Sequence, residues 1–355
     1  MNTVGEKNLL EEDLDDILNN TKDLWEELRG QRIFITGGTG FFGTWLLESF
    51  AWANKRLELN AEAMVLSRDP DAFCHKAVHL AENKSIKFNR GDVCDFTFPD
   101  GFFSHIIHAA TASSLKQNNE EPITMLDTIV QGTRHTLDFA QYCRAKKFLI
   151  TSSGAVYGKQ PPDLTHVSET YSGATDILNP QSAYGEGKRM AELLCSIYAK
   201  QYGIETKIAR CFAFVGPYLP LDIHFAIGNF IRDGIVGRPI MVKGDGTPYR
   251  SYLYVSDLVI WLWTILFQGK TCWPYNVGSQ QAINIADVAN LVSASFHPAP
   301  EIQITHKPDI SKASERYVPS TQRALIELNL QQRIPLPEAI SRTVHWHKEV
   351  RPQYS

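Results

Sequence analysis

The sequence predicts an α/β fold, a doubly wound parallel sheet with a smaller carboxy-terminal domain beside it, and two observations predict it. The first is a strand, a tight turn and a helix start within residues 32–53: Arg32-Ile-Phe-Ile-Thr-Gly-Gly-Thr-Gly-Phe-Phe-Gly43, then an apolar helical segment. The second is the alternation that follows. Short apolar runs at 61–67, 86–89, 104–110 and 147–152 read as strands, and helical stretches such as 127–144 lie between them. With 355 residues and 43% hydrophobic content, the chain is long enough for one large domain with appendages or two moderate ones.

Composition narrows the function classes. A formal net charge of −4 gives no reason to expect nucleic acid. No run of about 18 apolar residues is present, so no membrane span is expected. The acidic amino-terminal stretch has the character of neither a signal nor a transit peptide, and the expected location is cytoplasmic. Cys74, Cys94, Cys143, Cys195, Cys211 and Cys272 show no paired metal-ligand spacing. They read as reduced core thiols, and no metal is expected.

Residues 1–29 carry Leu10, Leu14, Ile17, Leu24, Trp25 and Leu28 among the acids Glu11, Glu12, Asp13, Asp15 and Asp16. That spacing fits one or two amphipathic helices packed on the body or on a partner subunit, a cap without chemistry. In the turn that follows, Gly37 permits the bend, Gly40 lets backbone approach a pyrophosphate, and Gly43 lets the helix pack close to the strand. With Phe41 and Phe42 opening the helix, phosphates would sit at its positive end.

Three features fall at the carboxyl ends of the next strands, where ligands bind in such sheets. Ser67-Arg68 stand 24 residues beyond Gly43, where an NAD site usually carries an acid for the ribose 2′-hydroxyl. A hydroxyl and a guanidinium suit a 2′-phosphate instead, so NADP is favoured over NAD, although Asp69 is next in line. Asp92 and Val93 follow the third strand, where the acid would accept from an adenine amino group. Ala109 and Ala110, within His108-Ala-Ala-Thr111, are small enough for a strand end to lie against a dinucleotide.

The fifth strand ends Thr151-Ser-Ser-Gly-Ala-Val-Tyr-Gly158. Some thirty residues on comes Asn179-Pro-Gln-Ser-Ala-Tyr-Gly-Glu-Gly-Lys188, opening a helix that should run to Gly203. Tyr184 and Lys188 are four apart and share a helix face. An ammonium close to a phenol favours phenolate, lowering a pKa that is ordinarily ~10. Ser153 would then hold the same substrate oxygen.

Together these residues resemble an extended short-chain dehydrogenase/reductase of the nucleotide-sugar epimerase/dehydratase branch. The matching motifs are Thr36-Gly-Gly-Thr-Gly-Phe-Phe-Gly43, Asp92-Val93, Ser152-Ser153 with Val156-Tyr157-Gly158, Tyr184 with Lys188, and Gly216-Pro217. The segment Gly244-Asp-Gly-Thr-Pro-Tyr-Arg-Ser-Tyr-Leu-Tyr-Val-Ser-Asp257 resembles the one around the family's phosphate-binding arginine, and the likeness covers roughly residues 31–350. It implies a Rossmann-type domain at 30–218 that later strands rejoin, a mainly substrate-binding domain at 219–355, and the acidic extension at 1–29.

The resemblance also implies roles. Tyr184 would be the acid/base, Lys188 the residue that tunes it and binds the nicotinamide ribose, and Ser153 the ligand of the substrate oxygen. Arg250 and Arg316 would take the sugar-nucleotide diphosphate, and His224 and Asn229 would lie at the substrate lid. Relatives that eliminate water carry an acidic pair where this chain has Gly154-Ala155, and the decarboxylases carry a glutamate. The family's asparagines are replaced by Ile129 and Ala213.

The expected activity is therefore hydride transfer at C4 of a nucleotide-activated sugar, as a 4-epimerase or a 4-ketosugar reductase. A 4,6-dehydratase is the alternative, disfavoured together with a decarboxylase because Gly154 and Ala155 move no proton. The alternative of another class is a non-catalytic NADP(H)-binding sensor or scaffold. The expected assembly is a homodimer paired through the helices at 127–144 and 181–202, as relatives commonly pair.

Overall fold

A computed structural model describes residues 8–111, 115–223, 225–309, 311 and 313–350, with 115–117 described by backbone alone. His224, expected at the substrate lid, lies outside the described residues. A seven-stranded sheet forms the centre, built from β1 (Arg32–Thr36), β2 (Glu62–Ser67), β3 (Ile86–Arg90), β4 (His105–His108), β5 (Lys147–Ser153), β6 (Glu205–Cys211) and β7 (Pro274–Val277). Its order is β7-β6-β5-β4-β1-β2-β3 and every pairing is parallel. The order reverses beside β1, and such a switch point opens the crevice in which doubly wound sheets bind ligands.

Each early strand lies within a residue or two of its apolar run, and β4 ends at His108 before the small residues begin. Helix α1 spans Glu11–Thr21 and α2 spans Phe41–Arg56, starting directly after Gly40. After the short α3 (Pro70–Lys76), α4 runs over Pro122–Tyr142, five residues ahead of the expected 127. Pro122 explains that start, because proline lacks the amide that a first helical position leaves unpaired. Helix α5 covers Ala183–Tyr202 behind a 3-10 turn at Pro180–Ser182, and Gly203 ends it in the left-handed region at φ +71.

The two faces of the sheet are covered differently. On one, α4 and α5 pack against each other and on a cluster that includes Phe34, Phe103, Phe139 and Phe148. On the other, α2 and α6 (Val255–Gln268) form the layer, and every residue of α6 from Val255 to Phe267 is buried. A helix that is apolar all round needs cover on its outer side. The amino-terminal stretch supplies it: α1 packs on α6, Leu14, Ile17 and Trp25 are buried, and the Trp25 and Trp263 rings stand 4.6 Å apart. Buried Asp13 accepts from the Tyr254 hydroxyl and from Arg342 of α7 (Leu336–Val350), each at 2.6 Å. Of the two expected settings for this extension, the structure has the body of the same chain.

Outside the sheet, the helix Ala226–Ile235 and two small strand pairs gather residues from 226 onward. Ile240–Val242 pairs with Ile302–Ile304, and Tyr249–Arg250 pairs with Ile283–Asn284. No helix among the described residues is long and apolar enough to cross a membrane, and no group of three or more metal-ligating side chains occurs among them.

Candidate active site

At the glycine turn, Gly37 has φ +71, and a Cβ there would come within 2.5 Å of the Ala109 and Ala110 backbone. The end of β4 therefore lies directly on the turn, and only glycine at 37 permits it. A Cβ on Gly43 would meet the Gly37 carbonyl at 2.2 Å, whereas the nearest atom to one on Gly40 is 3.4 Å away. The Gly40 amide closes the turn on the Gly37 carbonyl at 3.1 Å, and half-buried Phe41 and Phe42 begin α2. A backbone cradle that side chains would fill, opening on a helix start, fits a dinucleotide pyrophosphate.

Ser67 is buried at the end of β2, and its Oγ accepts from the Asp69 amide at 3.2 Å. Arg68 is exposed beside it. Asp69, the residue that spoke for NAD, has its carboxylate on the Ala72 amide at 3.1 Å as the cap of α3. Asp92 accepts from the Cys94 amide at 3.0 Å, while Val93 is buried against Gly132 of α4.

Tyr184, Lys188 and Ser153 come together where β5 ends against the start of α5. Lys188 is 2% exposed, and its Nζ donates to the Thr151 carbonyl at 2.8 Å. That Nζ stands 5.9 Å from the centre of the half-buried Tyr184 ring. Burial pulls the lysine down to about 8 and pushes the Tyr184 hydroxyl up, against a lowering hydrogen bond from Ser153. The expected depression of the phenol by the ammonium is therefore not seen, because desolvation by burial is the larger effect on the Tyr184 hydroxyl.

The sequence reading gave no role to Tyr317, one residue past Arg316. The Tyr249 amide donates to the Glu315 carbonyl at 2.7 Å, and the Tyr317 amide donates to the Tyr249 carbonyl at 3.1 Å. This pairing carries the Tyr317 hydroxyl to 3.5 Å from Ser153 Oγ. A Cβ on Gly154 would come within 2.7 Å of the Tyr317 oxygen and 2.6 Å of the Phe212 ring. No periodicity marks Tyr317, because its place depends on the bridge between Tyr249 and Arg316, far apart in sequence, and only the adjacent Arg316 pointed to the stretch.

The same pairing gathers the two candidate arginines. Arg250 donates to Glu315 at 3.1 Å and the Arg316 guanidinium lies 4.3 Å over the Tyr249 ring. Asn229, on the helix Ala226–Ile235, accepts from Arg232 at 3.0 Å. The positions without the family's asparagines are used for packing and backbone pairing. Ile129 is buried against Gly187 between α4 and α5, and the Ala213 carbonyl accepts from the Leu253 amide.

Beneath the trio runs a polar chain that sequence alone did not connect. Ser152 donates to Glu192, Glu192 takes Arg210 in two bonds of 2.9 and 2.7 Å, Arg210 donates to the Tyr157 oxygen, and Tyr157 donates to Asn276. It ties β5, β6, β7 and α5 together, and a two-pronged arginine–carboxylate pair resists rotation.

Several known proteins resemble this chain. UDP-glucuronic acid decarboxylase 1 of Arabidopsis thaliana is 32% identical over 314 residues, which are 88% of this chain and 69% of its own. Among solved structures, an epimerase of Methanothermobacter thermautotrophicus superposes with TM-score 0.77 at 20% identity, over 95% of this chain and 97% of its own. UDP-glucuronic acid 4-epimerase of Bacillus cereus, in complex with UDP-glucuronic acid and NAD, superposes with TM-score 0.75 at 19% identity, over 90% and 99%. At such identities the two structures speak for the fold. The family model for the NAD dependent epimerase/dehydratase family matches residues 33–278, from β1 through the end of the sheet, and the chain belongs to that family.

Proposed function

We propose that this protein transfers hydride at C4 of a nucleotide-activated sugar, as a 4-epimerase or a 4-ketosugar reductase, and prefers NADP(H) to NAD(H). One observation carries the reading: Tyr184, Ser153 and Lys188 meet at the end of β5, while the Phe212 ring and the Tyr317 hydroxyl fill the space that a side chain at 154 would need. Phenols, a serine and a buried lysine serve a sugar oxygen whose carbon is oxidised or reduced. A dehydratase needs a further acid and base, and Gly154-Ala155 supply neither.

In this reading Tyr184 gives its proton to the C4 oxygen or takes it, and Ser153 Oγ holds that oxygen in line. Lys188, fixed on the Thr151 carbonyl, holds the nicotinamide ribose. The glycine turn and the first amides of α2 hold the pyrophosphate, with Asp92 and Val93 beside the adenine. When bound, the dinucleotide supplies the acceptor or donor of hydride. Arg250 and Arg316 take the substrate diphosphate, which requires Arg250 to leave exposed Glu315. Residues 219–355, with Asn229 among them, build most of the substrate side, and two chains pair through α4 and α5.

Decarboxylation is a second reading, favoured by the relative in Arabidopsis thaliana. Oxidation at C4 of a glucuronic acid places its carboxylate β to a ketone, and such acids lose carbon dioxide without a carboxylic side chain. The deciding experiment incubates purified protein and dinucleotide with UDP-glucose, UDP-galactose, UDP-glucuronic acid and dTDP-4-keto-6-deoxyglucose, and analyses products by mass and sugar composition. An isobaric epimer or a product two hydrogens heavier supports the proposal. Loss of carbon dioxide supports the second reading, loss of water the dehydratase, and bound dinucleotide without any product the sensor or scaffold.

A further inference from the structure

We infer that Arg90 is a second arm of the site that distinguishes NADP(H) from NAD(H), gripping the adenosine 2′-phosphate beside Arg68 after letting go of Asp71. The inference rests on the NADP preference proposed above and adds a specificity residue from a different strand.

The register places it. In the β2–β3 pairing Ser67 stands opposite Arg90, and the Gly91 amide donates to the Ser67 carbonyl at 3.0 Å. The last residues of both strands thus share one corner of the sheet. From β3 the Arg90 guanidinium reaches back across β2: Nη1 lies 3.4 Å from the Arg68 carbonyl and Nη2 donates to Asp71 Oδ2 at 2.5 Å. Arg68 itself is exposed, and its guanidinium has no partner among the described residues. Ser67 Oγ accepts from the Asp69 amide and keeps its own hydrogen free to donate.

The partners that each group at this corner already has decide what it suits. Asp69 is turned into α3 as its cap, so the carboxylate that would accept from a ribose 2′-hydroxyl is engaged elsewhere. Two guanidiniums and a hydroxyl stand at the corner with two carboxylates, Asp69 held on the α3 cap and Asp71, whose side chain is 78% exposed and paired with an Arg90 that is 58% exposed. Exposed ion pairs of this kind are weakly held. A phosphate monoester carries nearly two charges and three acceptor oxygens, and it offers the planar guanidinium a two-pronged partner. With NADP(H) the exchange of Asp71 for phosphate is favourable, whereas with NAD(H) a lone hydroxyl gives Arg90 no reason to move. Asp71 is therefore a competitor of the phosphate, and its removal should strengthen NADP(H) binding.

The test titrates the full-length protein with NADPH and NADH by nicotinamide fluorescence, and with adenosine 2′,5′-bisphosphate against 5′-AMP as competitors. Native protein should favour NADPH and the bisphosphate. Arg90→Ala should lose roughly tenfold or more in NADPH affinity, the range for a bond between charged groups, and stay within about twofold for NADH. Arg90→Lys should recover part of the loss, and Asp71→Asn should tighten NADPH with NADH unchanged. A native protein that favours NADPH while Arg90→Ala binds it as before overturns the role of Arg90 and leaves the cofactor preference standing. Equal loss of NADH and NADPH makes Arg90 structural and also overturns the inference. A native preference for NADH removes the cofactor reading and this inference with it.

Discussion

The Tyr317 hydroxyl and Ser153 Oγ stand 3.5 Å apart over Gly154, so the candidate site holds a second phenol beside Tyr184. Burial pushes the Tyr317 hydroxyl well above its ordinary value, and it stays a neutral donor across the working pH range. Its chemistry is therefore to hold an oxygen, not to ionise. Tyr317→Phe should raise the KM for the sugar nucleotide several-fold while leaving the cofactor affinity unchanged. Gly154→Ala should cost about 1–3 kcal/mol of stability, the range for overpacking, because its methyl would overlap the Phe212 ring and the Tyr317 oxygen. Steady-state kinetics and thermal melting check the two, and a fully stable Gly154→Ala protein would mean that the space is not closed.

Lys188 gives a pH prediction with a definite sign. Its amine is held down to about 8 by burial, whereas an unfolded chain keeps the ordinary 10.5. Below pH 8 both states bind the proton, and the folded state carries the cost of a buried ammonium. Between 8 and 10.5 only the unfolded state is protonated, so raising the pH favours folding. Lys188→Met removes that cost: it should be more stable than native at pH 7 by up to about 3 kcal/mol, with the gap closing between pH 8 and 10.5. Urea unfolding at several pH values measures it, and a gap that stays constant with pH rejects the explanation.

How far the sequence reached is set by the range of the interactions involved. The glycine turn, the strand ends and the Tyr184–Lys188 spacing are local, and a few consecutive residues fix each of them. Tyr317, the Arg90–Asp71 pair and the Glu192–Arg210–Tyr157–Asn276 chain depend on register between strands that are distant in sequence, so spacing carries no trace of them. The direction in which the Tyr184 hydroxyl is shifted is hidden from the sequence for a related reason: helix spacing puts the lysine on the right face, but only the fold shows the burial that pushes the hydroxyl up.

The amino-terminal stretch should be indispensable for folding. It buries Leu14, Ile17 and Trp25 and covers a helix with no polar face. Each fully buried apolar side chain of this size contributes about 1.5–3 kcal/mol, so their loss rivals the ~5–15 kcal/mol stability of an ordinary domain. A chain lacking residues 1–29 should aggregate or lose cooperative melting. Native-like melting of that truncated protein would show the extension to be an accessory.

An apolar row on the packed pair α4 and α5 faces outward: Ile123 and Leu126 on one helix, Met190, Leu193 and Ile197 on the other. Exposed apolar rows of this kind mark association surfaces, and a second copy would bury it symmetrically. Leu193→Glu combined with Ile197→Glu should convert a dimer to a monomer in light scattering with the fold retained. A native protein that is monomeric at micromolar concentration would leave the row without this role.

Tyr184→Phe tests the chemistry most directly. The ring is kept, so the packing of α5 against β5 and the cation–ring distance to Lys188 should persist, and cofactor affinity should change little. What is lost is the proton that reaches the C4 oxygen, and positioned acid/base groups commonly contribute ~10²–10⁴-fold. Turnover of whichever nucleotide sugar the native protein accepts should fall by at least two orders of magnitude, with KM nearly unchanged, since the phenol acts in the transition state more than in binding. Ser153→Ala should do less damage, as Tyr184 still reaches the oxygen. A Tyr184→Phe protein that keeps turnover within a few-fold of native would move the acid/base role elsewhere, and the double variant with Tyr317→Phe would then show whether the second phenol had taken it.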